Sequence, residues 1–140
     1  MPASDSLGIV GGLTTIQSSF GPRKTIDRLE AEIRAKGLNV FARIDHAEGA
    51  AEAGLELRPT NLIIFGNARG GTALMQASQT SGIDLPLKIL VWQDVANKTW
   101  LSCNEPSWIA QRHGVAGAES TIDKIADLLS AIAREAVGSR

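Results

Sequence analysis

A histidine beside a carboxylate is the first group in this sequence that could do chemistry. Asp45 and His46 stand at the end of an alternating stretch that predicts a β-strand, and sites often open where strands end. The pair suits general acid–base chemistry or the binding of a ligand. The alternative is structural, with the His46 ring capping the following helix or bonded to the backbone.

A second candidate is the glycine-rich segment of residues 66–72. It follows a predicted strand and precedes a predicted helix, so its amides could hold an anion, with Arg69 supplying positive charge. The segment lacks both the GK[ST] ending of a Walker loop and the GxGxxG spacing, so it does not predict nucleotide binding by either motif. The alternative is a tight turn that needs glycine at positive φ, followed by a helix capped by Thr72.

The remaining reactive side chains are the single cysteine, Cys103, and the second histidine, His113. One cysteine with two histidines permits a thiol nucleophile or a three-ligand metal site, but the spacing identifies neither. An isolated thiol is usually buried and inert. We therefore predict no metal site, and the sequence assigns neither catalytic residues nor a cofactor.

The composition predicts one compact domain. The chain has 140 residues, 44% of them hydrophobic, and its 14 basic side chains are balanced by 15 acidic ones. This balance does not favour binding to nucleic acid or to an anionic membrane. The sequence has no basic leader, no stretch apolar enough to span a membrane and no second cysteine for an internal disulfide, so we expect a cytoplasmic protein.

The spacing of apolar residues predicts the elements that position these groups. Alternating or continuous apolar runs predict strands in residues 13–20, 38–45, 62–65, 87–92 and 99–103. In the second strand, Leu38, Val40, Ala42 and Ile44 are expected to share one buried face. Short turns between neighbouring strands favour an antiparallel sheet, an α+β arrangement.

Two long helices flank the last four of these strands in the sequence. The first begins at Pro22 and ends before Gly37, which suits a C-terminal cap. The second is capped at Ser120 and carries a core-facing stripe of apolar residues, namely Ile122, Ile125, Leu129, Ile132 and Ala136. Two shorter helical segments are expected in residues 46–53 and after Thr72.

Five separated motifs resemble the DUF302 family. They are Ile44-Asp45-His46-Ala47, the run of residues 57–67, Thr72-Ala73-Leu74-Met75-Gln76, the run of residues 82–88 and Gln111-Arg112-His113-Gly114. Their order and spacing match the family from about residue 13 into the last helix. The chain departs from the family pattern at Ala68, where proline is usual, and at Trp92, Cys103 and Trp108, near which tyrosines are usual.

The resemblance implies a TBP-like α+β fold of order β-α-β4-α, with a curved antiparallel sheet and helices packed on one face. It also implies a single domain in residues 13–140 behind a flexible N-terminus of residues 1–12. DUF302 is a family of unknown function, so the resemblance implies no activity. Because Cys103 departs from the pattern, a thiol chemistry common to the family is not expected.

We hypothesise a domain that binds a small ligand in one cleft near His46 and residues 66–72. Its candidate lining residues are His46, Asn67, Met75, Asn104 and His113. One alternative is an enzyme in which His46 is the general acid or base. Another is a structural homodimer or adaptor. Three tryptophans and an antiparallel sheet with too few helices to cover both faces lead us to expect self-association.

Overall fold

A computed structural model describes residues 11–138, and all structural statements below concern those residues. Five strands form one sheet in the order β1-β5-β4-β3-β2, and every neighbouring pair is antiparallel. Their bounds are β1 Leu13–Gln17, β2 Asn39–Asp45, β3 Thr60–Gly66, β4 Leu87–Gln93 and β5 Thr99–Asn104. Strands β1 and β2 are therefore the two edges, and the predicted order of one strand, a helix and four strands is confirmed.

Within residues 11–138, five α-helices and one 3-10 helix accompany the sheet. The α-helices are α1 Pro22–Ala35, α2 His46–Glu52, α3 Ala68–Ala77, α4 Pro106–Arg112 and α5 Glu119–Val137, and the 3-10 helix is Gln79–Asp84. Helices α1 and α5 pack together on one face of the sheet, and most of the predicted α5 stripe is buried there. The core lies between this helix pair and the inward side chains of the central strands, namely Ile63, Phe65, Ile89, Val91 and Leu101.

Helix α3 begins earlier than the sequence predicts. The expected loop of residues 68–72 is the first part of the helix, and Asn67 rather than Thr72 is its N-cap. The Asn67 side-chain oxygen accepts the Gly70 N–H at 3.1 Å, which satisfies one of the first free amides of the helix. This cap allows the helix to start in spite of two glycines in its first turn.

Two further helix ends also differ from expectation. Ala118 is the N-cap residue of α5, so Ser120 lies inside the first turn and is not the cap. Helix α4 was not predicted, because its seven residues are too few to show a helical period. Pro106 occupies its first position, where the missing N–H costs nothing, and Ile109 and Ala110 are buried.

Strand β2 changes face midway along its length. Its register with β3 shifts between Val40 and Ala42, so Phe41 is an additional residue at a β-bulge. Val40 pairs with Phe65 and faces the helices. Beyond the bulge the alternation is inverted, and Ala42 and Ile44 lie on the opposite face, so the single buried face expected for this strand is wrong.

Arg43 takes the helix-facing position that results from this bulge. It pairs in register with buried Ile63 and donates to Asp27 of α1 at 2.8 Å and to Glu30 of α1 at 3.0 Å. The edge strand is thus joined to the first helix by ion pairs where simple alternation predicted apolar packing.

The face of the sheet away from α1 and α5 is called the open face. Its apolar side chains are Ile44, Leu62, Ile64, Leu90 and Trp92, and all of them are partly or largely exposed. Trp100 lies on the same face but is only 1% exposed and stacks on Trp92, with ring centroids 6.3 Å apart. Two of the three tryptophans therefore pack against each other within the chain.

The strand register also defines two ends of the sheet. The Gly66 end contains Leu13, Asn39, Gly66, Leu87 and Asn104. The Asp45 end contains Gln17, Asp45, Thr60, Gln93 and Thr99. Gly12, at the edge of the N-terminal stretch expected to be flexible, accepts a hydrogen bond from Glu105 N–H at 2.8 Å, and residues 1–10 lie outside the described part of the chain.

Candidate functional site

His46 lies at the Asp45 end, as the first residue of α2, and is exposed. The Asp45 carboxylate accepts the Glu48 N–H at 2.9 Å and so caps this helix. Within residues 11–138, no hydrogen bond or ion pair joins the His46 ring to another group. The ring therefore has neither of the structural roles considered above, and no neighbour orients it for acid–base chemistry.

A shallow polar cleft of about 610 Å³ lies beside Asp45, and we call it the Asp45 cleft. Arg43, Asn61 and Gln93 line it together with the start of α1, and His46 is not among its lining residues. Two acidic side chains of α1 already neutralise Arg43. The Asp45 cleft therefore offers amide groups, a carboxylate and two guanidinium groups, and its apolar lining is limited to Pro22, Ile26 and Pro59.

Asn67 and Met75 lie beyond the opposite end of the sheet. The Asn67 side chain caps α3 by accepting the Gly70 N–H, so this N–H is not available to an anion. Met75 is half-buried, and its sulfur lies against Gly82 of the 3-10 helix. Both side chains thus have structural contacts, and the cap occupies one amide of the anion cradle considered for residues 66–72, that of Gly70.

His113 is the centre of a polar cluster that we call the Asp84 clamp, formed by Thr80, Asp84, Arg112 and His113. The His113 ring bonds through Nε2 to Asp84 Oδ2 at 2.6 Å and through Nδ1 to Thr80 Oγ1 at 2.9 Å. Arg112 donates to both Asp84 oxygens, at 2.9 and 3.0 Å. The clamp joins the 3-10 helix to the end of α4, and the His113 side chain is only 7% exposed.

The charge state of Asp84 follows from these contacts. Partial burial raises the pKa of the Asp84 carboxyl. The hydrogen bond from His113 and the charge and hydrogen bonds of Arg112 lower this pKa by a larger amount, so the net pKa lies below the usual value. Asp84 is therefore an anion at neutral pH and accepts from both partners.

We expect Asp84→Asn to reduce the free energy of unfolding by about 1 to 3 kcal/mol at neutral pH, because charge-assisted hydrogen bonds are lost. A lowered folded-state pKa contributes stability above the unfolded value of about 3.9, and this contribution disappears as the pH falls through the folded-state pKa. The difference between the urea melts of the two proteins should therefore begin to shrink as the pH falls below about 4, and it should close only once the pH is below the folded-state pKa of Asp84. A constant difference across the whole pH range would contradict this role for Asp84.

A cleft of about 490 Å³ separates α5 from β1 and the end of β5, and we call it the α5 cleft. Its floor is apolar and is formed by Ile16, Cys103, Ile122, Ala126, Leu129 and Ala133. Its rim carries polar side chains, namely Thr14, Asn104, Glu105, Ser107, Asp123, Ser130 and Arg134. Asn104 is the only one of the five candidate residues that borders this cleft.

Cys103 is buried in the floor of the α5 cleft, as expected for an inert thiol. Burial, followed by the negative charge of Glu105, raises the pKa of the Cys103 thiol to about 11. At pH 7 only about one molecule in ten thousand then carries the reactive thiolate. The geometry gives no support to a cysteine nucleophile.

We expect iodoacetamide to alkylate Cys103 in the folded protein at pH 7 more than about a hundredfold slower than in the urea-unfolded chain, whose thiol has a pKa near 8.5. Mass spectrometry at timed intervals measures both rates, and the unfolded chain is the internal control. Equal rates would mean that the thiol is neither buried nor perturbed as the structure indicates.

The structure does not bring the five candidate residues into one cleft. His46 stands at the Asp45 end, whereas Asn67 and Asn104 stand at the Gly66 end and Met75 and His113 contact the nearby 3-10 helix. The single cleft expected near His46 and residues 66–72 is therefore wrong, because antiparallel pairing of β2 with β3 sends those two segments to opposite ends. The α5 cleft was missed because most of its lining belongs to α4 and α5, whose placement the sequence does not show.

Comparison with known proteins places this architecture in a family. A family model described as "Domain of unknown function DUF302" matches residues 14–132. The crystal structure of an uncharacterized conserved DUF302 protein from Bacillus stearothermophilus superposes with a TM-score of 0.81 at 21% identity, covering 92% of this chain and 100% of that one.

The chain also matches part of longer proteins that are named as ion channels. Two proteins called "Fluoride-specific ion channel FluC 1", from Brucella suis and Brucella abortus, are each 50% identical to this chain over 107 residues. The match covers 76% of this chain but only 42% and 40% of those proteins, so the chain spans less than half of their length. Within residues 11–138, no helix has the length and apolar character needed to cross a membrane. The chain belongs to the DUF302 family and has its TBP-like α+β fold.

Proposed function

We propose that this chain is a ligand-binding domain and that the α5 cleft is its binding site. The observation that carries the proposal is the combination of an apolar floor with a polar rim, which is the usual composition of a ligand site. The floor supplies burial for an apolar body, and the rim supplies orientation. The apolar lining of the Asp45 cleft is limited to Pro22, Ile26 and Pro59, whereas six apolar side chains form the floor of the α5 cleft, which favours the α5 cleft.

The charges on the rim support the same proposal. Asp123 lies near the start of α5 and Glu105 immediately precedes α4, whereas Arg134 lies near the other end of α5. Among the described residues, none of these three side chains forms an ion pair, and Glu105 makes only a long hydrogen bond with Thr14, at 3.4 Å. Charges placed at the two ends of an apolar cleft fit an elongated molecule with a cationic group at one end and an anionic group at the other.

Aminocaproate, an aliphatic chain with an amine at one end and a carboxylate at the other, is a suitable probe. Titrated into labelled protein, it is expected to shift the NMR signals of the α5 cleft in a saturable manner. Ala126→Phe fills the floor and should abolish the shifts. Ala131→Phe introduces the same ring on the exposed side of α5 and should leave them intact. Shifts that survive Ala126→Phe, or that map to the Asp45 cleft, would refute the assignment.

A second proposal concerns the context in which the ligand acts. A stretch 50% identical to this chain forms part of longer proteins named as fluoride channels, which supports a role beside another protein rather than an isolated activity. We propose that the domain binds its ligand and that this binding regulates such a partner. Titration with sodium fluoride, with sodium chloride as the control, tests whether fluoride itself is the ligand. NMR shifts in the α5 cleft that occur with fluoride and not with chloride would identify fluoride as the ligand.

We also propose that the protein is a cytoplasmic homodimer that pairs through its open face. The support is the group of partly exposed apolar side chains on that face, which a two-fold contact would bury. Sedimentation at micromolar concentration should show a dimer. Leu62→Glu, on the open face, should yield a monomer, whereas Leu55→Glu, at a site that is 67% exposed outside the sheet, should not. A monomeric wild-type protein would contradict the proposal.

A further inference from the structure

We infer that the natural occupant of the α5 cleft is an extended peptide segment that adds to the sheet as a sixth strand beside β1. The inference rests on the proposed function, because it assigns a chemical class to the ligand of the same cleft. It combines two features of the structure that lie side by side, the edge of β1 and the apolar floor between β1 and α5.

Strand β1 directs alternate backbone groups away from the sheet. The bonds from Glu105 N–H to Gly12 O and from Ser18 N–H to Thr99 O fix the alternation, so that even-numbered residues of β1 bond to β5. The amide and carbonyl groups of Leu13 and Thr15 then point to the outer edge. An added strand could therefore bond to the backbone of β1 without disturbing the existing sheet.

The side chains of β1 show where such a strand would place its own. Thr14 and Ile16 point toward α5 and line the α5 cleft. Side chains on the same face of a sixth strand would lie beside them, so every second residue of the peptide would enter the cleft. Apolar residues at alternate positions are therefore the expected pattern of the occupant.

The two edges of the sheet differ in how they are protected. Strand β2 has a β-bulge and an ion-paired arginine, both of which discourage the addition of a strand. Strand β1 has the sequence Leu-Thr-Thr-Ile-Gln, without charge, proline or bulge. The edge beside the α5 cleft is thus the edge that lacks these protective features.

The rim charges give the occupant a direction. Glu105 is bonded to Gly12, just before β1, whereas Arg134 lies three residues before Val137, whose carbonyl accepts Ser19 N–H beyond the end of β1. The acidic end of the cleft is thus beside the start of β1 and the basic end beside its finish. A strand antiparallel to β1 would match these charges with an acidic residue near its amino end and a basic residue near its carboxyl end.

The probe is a capped, fluorescently labelled heptapeptide of sequence Glu-Ser-Val-Ser-Val-Ser-Lys, in which the two charged residues and the valines all lie on the face of the strand that enters the cleft. Its affinity for the full chain is measured by fluorescence anisotropy. Thr15→Pro removes the outward N–H and is expected to weaken binding about tenfold or more. Thr15→Val also loses the hydroxyl bonded to Ser102 but keeps the N–H, so its affinity should stay within about twofold of the wild type.

Leu13→Pro provides a second test if Thr15→Pro does not fold, because proline is tolerated at the first residue of a strand. A peptide with Lys first and Glu last should bind more weakly than the original. If a folded proline variant binds the peptide as tightly as the wild type does, strand addition is refuted. It is also refuted if the proline substitution changes only the oligomeric state, since the occupant would then be a second copy of the chain. If aminocaproate binds and the peptide does not, the inference fails while the proposed function stands; if neither binds, both fail.

Discussion

Replacing Phe65 with alanine is expected to lower the free energy of unfolding by about 3 to 5 kcal/mol. Phe65 is fully buried in the central strand β3 and belongs to the core between the sheet and the α1–α5 pair. Truncation removes the transfer free energy of the ring and leaves a cavity that the surrounding strands and helices cannot close. Urea denaturation monitored by tryptophan fluorescence and circular dichroism measures the change.

Phe41→Ala is the matched control. The same side chain at the β2 bulge is 58% exposed, so its removal should change the free energy of unfolding by less than about 1 kcal/mol. Similar losses for the two variants would mean that the core does not lie on the face of the sheet that α1 and α5 cover. Such a result would also undermine the α5 cleft, whose floor is continuous with that core.

The elements of this fold were largely predictable, because each long one repeats a simple pattern. The apolar spacing of α1 with Pro22 at its start, and the stripe of α5 that contains Leu129 and Ile132, both predict helices that the structure contains. The two strands β4 and β5 and their antiparallel pairing also agree with the prediction from sequence. The wrong predictions concern single residues. The hydrogen bond from Gly70 to Asn67 starts α3 where a loop was expected, and the bulge at Phe41 inverts an alternation of side chains that looks regular in the sequence.

The candidate site was less predictable, because its contacts join residues that are far apart in the chain. His113 meets Asp84 across 29 residues, and no periodicity within either segment indicates that pairing. The sequence singled out His46 on account of its residue type, yet its placement depends on the direction of β2. The α5 cleft has no motif, since its floor and rim arise only when α5 packs beside β1.

The position of α4, which the sequence did not predict, depends on a close contact that glycine alone permits. Gly12 has φ +78° and lies so near Trp108 of α4 that an added Cβ would overlap the indole ring. We expect Gly12→Ala to cost about 2 to 4 kcal/mol, from the unfavourable backbone conformation together with displacement of the ring. Gly11→Ala is the control, because a Cβ added to the neighbouring glycine would meet no atom within 4 Å and should change stability little. Since the acidic rim of the α5 cleft includes Glu105, which immediately precedes α4 and bonds to Gly12, the Gly12→Ala variant should also bind aminocaproate more weakly. Equal melting temperatures for the two alanine variants would show that α4 is not held by this contact.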